Sequence, residues 1–321
     1  MVDIKTLKLL YYQMLRIRKI EESIAQNYQQ QEIRCPVHLC IGQEAIAVGV
    51  CSLLAKRDVV MSNHRSHGHY LAKGGDAKKM IAELYGKSTG CSKGRGGSQH
   101  LIDLSVNFLG STPIVGGTIP IATGVSWAAQ LLRKKHIVVV FFGDAAIEEG
   151  IFHESINFSS LKHLPILYVC ENNFYSILTP LSDRQPRRHI CDIAKAHGLA
   201  SWRSDGTDVQ EVVNIAKKAL SYIRSGKGPA FIEFLTYRLK EHCGPNDELV
   251  GARPEEEVAF WRKKDSLKQL KQFLLQKKVV DEKEIEQMKE KIDREIFSAF
   301  DYALKSPYLS EKPLTQYVYS S

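Results

Sequence analysis

Two short apolar runs, each followed at once by polar residues, constrain the fold of this chain more than any other feature. The first occupies residues 137–142 and leads into the pair Gly143-Asp144; the second, 166–171, leads into Asn172-Asn173. Between them, residues 149–161 have the pattern of a helix. Strands joined by a helical crossover of this length run parallel. The unit therefore predicts two parallel strands whose exits carry a carboxylate and an amide.

The same alternation continues on both sides of this unit. Helical patterns are present at 3–30, 42–56, 116–133, 189–197, 208–225 and 254–305, and a further strand is expected at 230–236. A short strand followed by a His-rich loop is expected at 58–75, and polar loops at 86–113 and 239–254. Such alternation predicts an α/β fold, a parallel sheet with helices on both faces and a C-terminal helical appendage. We expect one α/β domain over 1–253, with 254–321 as a C-terminal helical region of the same domain.

Composition narrows the class of protein. The 321 residues carry a net charge of +8, but the basic residues are scattered among helical patterns, which argues against a nucleic-acid partner. No apolar run is long enough for a membrane span, and the first residues lack the layout of a signal peptide. Seven cysteines without metal-binding spacing indicate reduced thiols. We therefore expect a cytoplasmic protein that binds neither nucleic acid nor membrane.

The polar residues at the two strand exits suggest a metal site. Ligands of parallel sheets bind beyond the carboxyl ends of the strands, where Asp144 and Asn173 would meet. Carboxylate and amide oxygens suit Mg²⁺, which usually retains phosphate oxygens as further ligands. The simpler alternative is that Asp144 begins a helix and Asn172-Asn173 forms a turn. The pairing of both features after two apolar runs favours a divalent metal that bridges a diphosphate.

This segment also resembles the thiamin diphosphate motif, which begins Gly-Asp-Gly and ends Asn-Asn about thirty residues later. More narrowly, it is similar to the α subunit of the decarboxylating component of 2-oxo acid dehydrogenase complexes. Five further blocks match that family in the same order: "HLCIGQEAIAVGV", "HRSHGHYLAKG", "GRGGSQH", "IVGGTIPIATG" and "SGKGPAFIEFLTYR". The resemblance covers residues 7 to 265. It implies the thiamin diphosphate-binding fold, with thiamin diphosphate and Mg²⁺ as cofactors.

The resemblance also implies roles for individual residues. The metal would be bound by the side chains of Asp144 and Asn173 and by the main-chain oxygen of Tyr175. The cofactor would contact His64, Arg65, Val115, Gly143, Ala145, Ala146, Arg238 and His242, with the two arginines on the diphosphate. The catalytic groups at the substrate entrance would be His38, His67 and His242, because histidine exchanges protons near neutral pH.

Four positions depart from the family pattern. Ala145 replaces the third glycine of the motif, and an alanine at that position requires a negative φ. His64 stands where pyruvate-specific members usually carry tyrosine. Lys240 replaces the first histidine of the later loop, and Cys243 replaces a serine that kinases modify in mitochondrial relatives. These changes bear on the substrate more than on the cofactor.

The implied activity is decarboxylation of a small-molecule 2-oxo acid and transfer of the acyl group to a lipoyl carrier, with a lipoylated acyltransferase as a possible partner. A β subunit would supply the pyrimidine-binding domain and its glutamate in an α₂β₂ heterotetramer. Three alternatives stay open: a subunit of an acyloin-cleaving or carbon–carbon bond-forming thiamin enzyme, half of a split transketolase, or a non-catalytic relative of the fold.

Overall fold

A six-stranded, fully parallel sheet organises the chain. A computed structural model describes residues 2–247 and 251–310. The sheet strands are β1 (Val59–Ser62), β2 (Phe108–Ser111), β3 (Val138–Gly143), β4 (Ile166–Asn172), β7 (Ala200–Asp205) and β8 (Ala230–Leu235). Their order across the sheet is β2-β1-β3-β4-β8-β7. A separate hairpin, β5 (Tyr175–Ser176) and β6 (Thr179–Pro180), follows β4 directly.

The described residues also form twelve α-helices. They are α1 (Ile4–Tyr28), α2 (Glu44–Cys51), α3 (His67–Ala72), α4 (Ala77–Leu84), α5 (Thr118–Leu131), α6 (Gly150–Leu161), α7 (Leu181–Arg184), α8 (Ile190–Ala196), α9 (Val209–Arg224), α10 (Glu255–Lys263), α11 (Ser266–Gln276) and α12 (Glu282–Lys305). In this part of the chain, no helix combines the length and apolar character needed to cross a membrane.

The sheet separates two apolar cores. In β3, Val139 and Phe141 belong to one core, whereas Val138, Val140 and Phe142 belong to the other. Successive side chains of a strand point to opposite faces, so a strand that is apolar throughout must be covered on both sides. This arrangement confirms the predicted α/β fold with helices on both faces of a parallel sheet.

Seven of the strands and α-helices were not predicted from sequence: β2, β5, β6, β7, α3, α4 and α7. The edge strands β2 and β7 were missed because "FLGS" is very short and "ASWRSD" is only partly buried, so neither has the apolar run of a central strand. The expected His-rich loop at 58–75 is wrong in its second half, because residues 67–72 form α3. Helix α4 was also missed. Both helices bury most of their residues, so tertiary packing outweighs their weak local signal.

The C-terminal helices α10–α12 correspond to the expected helical region, but they are not a loose appendage. Helix α12 packs along α4 and α1, and α11 packs against α1 and α2. Leu274, Ile285 and Ile292 are buried in the same apolar core as α1. Residues 311–321 of the expected region, like residues 248–250 of the 239–254 loop, lie outside the described residues.

A buried ion cluster joins the N-terminal and C-terminal helices. The guanidinium of Arg18 on α1 donates to both carboxylate oxygens of Glu44 on α2, and to Asp265 at 2.9 Å. All three residues are buried, and Asp265 also caps the first turn of α11. Burial acts to lower the pKa of Arg18, but the two carboxylates raise it overall. The cation therefore holds two buried anions in place.

Replacing Arg18 with methionine should destabilise the protein by about 3–5 kcal/mol, because Glu44 and Asp265 would remain buried without their counter-ion. The measurement is the free energy of unfolding in urea. Arg16→Met is the matched control: Arg16 pairs with the partly exposed Glu295, so its loss should cost about 0–1 kcal/mol. Equal effects of the two substitutions would contradict this account.

Candidate active site

The exits of β3 and β4 meet at one edge of a cavity. The two strands pair in continuous register from Val138 opposite Ile166 to Gly143 opposite Glu171. The cavity beyond their carboxyl ends has a volume of about 250 Å³. Twelve of the residues that the resemblance implied line this cavity: His38, His64, Arg65, Val115, Gly143, Asp144, Ala145, Ala146, Asn173, Tyr175, Arg238 and His242.

The expected metal ligands lie together in this cavity. The side chain of Asp144 is buried, with the residue 1% exposed, and its Oδ1 accepts the main-chain N–H of Asn173 at 3.3 Å. The side-chain oxygen of Asn173 in turn accepts the N–H of Tyr175 at 3.2 Å. Asp144, Asn173 and Tyr175 therefore lie in one hydrogen-bonded chain that lines the cavity. This donor set matches the chemistry of Mg²⁺.

Arg184 contacts the same carboxylate and was not foreseen. From the end of α7 its guanidinium forms ion pairs with both Asp144 and Glu148. Burial raises the pKa of Asp144, and the charge of Arg184 opposes that shift. The segment 178–188 contains two prolines and three arginines and has no helical or strand periodicity. Nothing in its local pattern shows that the basic residue folds back onto Asp144.

The departure at Ala145 is accommodated by the local backbone. Residues Asp144–Glu148 form a 3-10 turn, and Ala145 is not among the residues with positive φ. A glycine is therefore not required there. The helix α6 begins only at Gly150, so the 3-10 turn, rather than that helix, directly follows the strand exit.

Two buried arginines form the cationic side of the cavity. Arg65 donates to the main-chain oxygens of Leu39 and His242, and Arg238 donates to those of Lys240 and Ile177. Among the described residues, no carboxylate lies within salt-bridge distance of Arg65. Burial, with the nearby charge of Arg238, lowers the pKa of Arg65 to about 10. A dianionic group between the two guanidiniums would offset this repulsion.

Gln43 adds a polar group that sequence analysis did not identify. Gly42, with φ of +100°, lets the chain pass close to the main-chain oxygen of Tyr237, and Gln43 follows it into the cavity lining. The Oε1 of Gln43 is 3.5 Å from the amide of Asn173. Its buried Nε2 has no hydrogen-bond partner in the described part of the chain. An orphaned donor beside oxygen ligands fits an acceptor such as a phosphate oxygen.

Three histidines of the cavity lining cluster together. The ring centroids of His38 and His64 are 4.7 Å apart, those of His38 and His242 are 5.1 Å apart, and those of His64 and His242 are 5.6 Å apart. Burial, reinforced by the charge of Arg65, lowers the pKa of His38 to about 3, of His64 to about 2 and of His242 to about 4. We call these residues the histidine cluster; its imidazoles are neutral at pH 7.

The expectation for His67 is not matched by its position. Its side chain is fully buried, and it is not among the cavity-lining residues. The two ring nitrogens bond to Glu21 at 3.1 Å and to Ser98 at 2.8 Å, so neither faces the cavity. His67 lies instead on α3, whose fold the sequence analysis missed. We therefore assign it a supporting position behind the cavity wall.

The glycine-rich part of the expected polar loop 86–113 is organised by one buried carboxylate. Glu83 on α4 is fully buried and accepts main-chain N–H groups from Ser92, Gly94, Gly96 and Gly97 at 2.8–3.1 Å. This arrangement holds the segment that carries Gln99, whose amide donates to Nδ1 of His38 at 3.1 Å. Neither Glu83 nor Gln99 was singled out from sequence.

The donor set as a whole fits thiamin diphosphate and a divalent metal. Oxygen ligands and two buried cations line the same cavity as the buried amide of Gln43, whose Nε2 has no hydrogen-bond partner among the described residues. Val115, which is 46% exposed, forms part of the cavity rim where a ring could rest. No competing positively charged side chain other than Arg184 contacts Asp144 in the described residues.

The histidine cluster should make the free chain sensitive to acid. Between pH 6.5, the usual pKa of histidine, and about 4, the unfolded chain binds protons that the folded cluster does not. Stability present above pH 6.5 is therefore lost as pH falls. The urea midpoint of His64→Phe should fall less steeply over this range than that of the parent chain. His189→Phe, which replaces an exposed histidine, should show the same dependence of the urea midpoint on pH as the parent chain. Equal dependence on pH in all three proteins would contradict the prediction.

Comparisons with known proteins identify the family to which the chain is similar. Residues 12–312 match the family model described as "Dehydrogenase E1 component". The α subunit of acetoin:2,6-dichlorophenolindophenol oxidoreductase from Bacillus subtilis is 36% identical over 97% of this chain and 93% of its own length. The pyruvate dehydrogenase E1 component subunit alpha from Rickettsia typhi is 34% identical over 95% of this chain and 93% of its own.

A plant relative extends the same pattern. The chloroplastic pyruvate dehydrogenase E1 component subunit alpha-3 of Arabidopsis thaliana is 35% identical over 97% of this chain and 74% of its own length. The family model spans most of the chain, and these relatives are each α subunits that the chain covers over more than two thirds of their length. The chain therefore belongs to the dehydrogenase E1 component family, as an α subunit of the 2-oxo acid dehydrogenase type.

Proposed function

We propose that this chain is the thiamin diphosphate- and Mg²⁺-binding α subunit of an enzyme that decarboxylates a 2-oxo acid and passes the acyl group to a lipoyl carrier. The observation that supports this most is the single cavity in which the buried oxygens of Asp144 and Asn173 lie with the buried cations Arg65 and Arg238. Metal ligands beside a paired guanidinium site fit a metal-bound diphosphate, and few other ligands need both.

Each group in the cavity has a distinct proposed role. Asp144, Asn173 and the main-chain oxygen of Tyr175 hold the metal, while Arg65 and Arg238 hold the diphosphate. When bound, thiamin diphosphate supplies the electron sink for loss of CO₂ from a 2-oxo acid. The remaining contacts are expected from His64, Val115, Gly143, Ala145 and Ala146, all of which line the same cavity.

His38 and His242 are positioned to hold a proton near the substrate carbonyl. The amide of Gln99 donates to Nδ1 of His38, and the guanidinium of Arg238 lies 3.3 Å from Nδ1 of His242. Because both Nδ1 atoms accept hydrogen bonds, the proton of each neutral ring resides on Nε2. Because both residues line the cavity, we propose that these N–H groups bond to a carbonyl oxygen or carboxylate of the substrate.

A partner subunit is supported by an apolar helix face beside the cavity. On α5, Ile121, Val125 and Ala128 recur at helical spacing and continue to Leu132, which is 68% exposed. Ile151 and Leu161 on the neighbouring α6 are also exposed. Exposed apolar faces of this kind mark interaction sites. We propose that a β subunit covers this face and supplies the pyrimidine-binding glutamate, giving an α₂β₂ heterotetramer.

The second candidate is a subunit of an acyloin-cleaving or carbon–carbon bond-forming thiamin enzyme. It is favoured by the 36% identity to a relative named for acetoin oxidation and by His64, which lines the cavity. Acylation of a lipoylated carrier by the purified complex would support the dehydrogenase, whereas acyloin cleavage without carrier acylation would support this alternative.

A cytoplasmic location is also part of the proposal. It is supported by the cysteines, because all seven are free thiols, as is usual in a reducing compartment.

Asp144→Ala should weaken Mg²⁺-dependent binding of thiamin diphosphate by about 100-fold or more, because the metal loses its charged ligand. Isothermal titration of the α–β complex measures the affinity, and circular dichroism checks that the variant is folded. Asp192→Ala, which removes an exposed carboxylate paired with Lys195, should bind as the parent does. Parental affinity in the folded Asp144 variant would refute the metal-ligand assignment.

The isolated α chain should be inactive in decarboxylation with an artificial electron acceptor, and addition of its β subunit should restore turnover. The reason is that the carboxylic acid needed beside the aminopyrimidine ring is proposed to come from the partner. Leu132→Asp, at the residue that directly follows α5, should weaken assembly, as measured by sedimentation. Robust turnover by the α chain alone would show that the partner is not required.

A further inference from the structure

The loops that precede four neighbouring strands concentrate positive charge on one surface. Strands β1, β3, β4 and β8 lie side by side in a parallel sheet, so the loops before them meet at the edge opposite the cavity. These loops are residues 52–58, 132–137, 162–165 and 225–229. They contain seven exposed cations: Lys56, Arg57, Arg133, Lys134, Lys135, Lys162 and Lys227. We call this surface the basic edge.

Hydrogen bonds between the loops hold the basic edge together. The N–H of Ile137 donates to the carboxylate of Asp58 at 3.0 Å, which joins the loops before β3 and β1. The N–H of Val138 donates to the main-chain oxygen of Pro165 at 3.1 Å, which joins β3 to the loop before β4. Strand β8 is paired with β4 from its first residue onwards. Cations that are scattered over four stretches of the sequence therefore share one surface.

Carboxylates do not neutralise this charge. Asp58 is the one acidic residue of the four loops; it is buried, accepts main-chain N–H groups and pairs with Arg224. Within residues 2–247 and 251–310, none of the seven cations forms an ion pair. The net charge of the whole chain is +8, so the basic edge carries an excess almost as large as that of the entire protein. An anionic partner would relieve the repulsion among these cations.

The ends of helices explain only part of this charge. Basic residues in the last turn of a helix stabilise its negative carboxyl end, but the effect does not extend beyond that turn. Lys162 is the C-cap of α6, and Arg133 follows the C-cap of α5. In contrast, Lys56, Lys135 and Lys227 lie beyond the C-caps of α2, α5 and α9. A surface that serves only solubility mixes charges of both signs, which this edge does not.

Exposed leucines lie within the basic edge. Leu131 ends α5 and Leu132 is its C-cap, directly before Arg133; Leu161 ends α6, directly before Lys162. Helices α5 and α6 pack against each other, so these leucines and cations belong to one surface. Protein interfaces combine an apolar core with a charged rim, whereas interfaces with nucleic acid are more polar. The mixture of leucines and cations therefore favours a protein partner with acidic groups.

We propose that the basic edge binds an acidic segment of the β subunit. The inference rests on the proposed α–β assembly and identifies a surface on which charge steers it. The apolar face of α5 that we assign to the β subunit runs into the basic edge at Leu132, so a partner that covers this face reaches Arg133, Lys134 and Lys135. Complementary charges at the rim of an interface accelerate encounter and make association sensitive to salt.

The first test couples amines directly to carboxylates with a carbodiimide in the assembled α–β complex, and mass spectrometry then identifies the joined residues. Lysines of the basic edge should couple to aspartate or glutamate residues of the β subunit, because this reagent adds no spacer and joins groups in contact. Lys277, which is exposed at the end of α11, is the control and should not couple to the β subunit. Absence of α–β coupling at the basic edge would overturn the proposal.

The second test reverses the charge of two residues in Lys134→Glu/Lys135→Glu. At about 50 mM NaCl this variant should associate with the β subunit about tenfold more slowly than the parent, and its rate should depend less on salt. The matched control, Lys277→Glu/Lys278→Glu, reverses two exposed charges that also follow a helix, and should associate as the parent does. Circular dichroism checks the fold of both variants. Equal association rates of the two variants would count against the basic edge.

The outcomes separate this inference from the proposed function. If the α and β chains do not assemble at any salt concentration, the proposed partnership fails, and the inference fails with it. If they assemble into an active decarboxylase whose association is insensitive to salt and to the charge reversal, the proposed function stands and the inference is overturned. The assembled complex is also mixed with a labelled DNA duplex and with phosphatidylserine vesicles. Binding of either that Lys134→Glu/Lys135→Glu abolishes would assign the basic edge to that ligand and overturn the inference.

Discussion

The candidate site depends on the pairing of β3 with β4. Six consecutive residue pairs hold the two strands in parallel register, so that Gly143 and Glu171 leave the sheet side by side. A slip of one residue would turn every side chain of the slipped strand to the other face and expose its apolar residues. The two apolar cores prevent that slip, because each takes alternate residues of both strands. The position of Asp144 relative to Asn173 is therefore set by core packing.

Around this edge, the protein buries charge and compensates for it in two different ways. Arg18, Glu44 and Asp265 satisfy one another, so that cluster serves to join helices from opposite ends of the chain. Arg65 instead bonds to main-chain oxygens, and the charge of Arg238 acts on it. A buried cation without a nearby carboxylate is stabilised when an anion binds. The Arg18 cluster therefore stabilises the scaffold, whereas the environment of Arg65 favours the binding of an anionic ligand.

The same cations influence the histidine cluster. Burial and the charge of Arg65 keep the three imidazoles neutral, which preserves an acceptor nitrogen on each ring. Binding of a diphosphate between the arginines would reduce their effect on the rings and move the three pKa values upward. Diphosphate binding and the proton affinity of the histidine cluster would thus be linked through Arg65 and Arg238.

The sequence by itself determined the α/β class, the central strands and the strand exits that carry Asp144 and Asn173, because long apolar runs and their polar ends are local signals. It also placed most of the cavity residues through resemblance to a family that the comparisons confirm. Only the tertiary structure placed His67 behind the wall, brought Arg184 onto Asp144, and folded the Gly-rich segment around Glu83. These contacts join residues from separate elements, 40 residues apart for Arg184 and Asp144 and 46 for His67 and Glu21, and no local periodicity encodes such meetings.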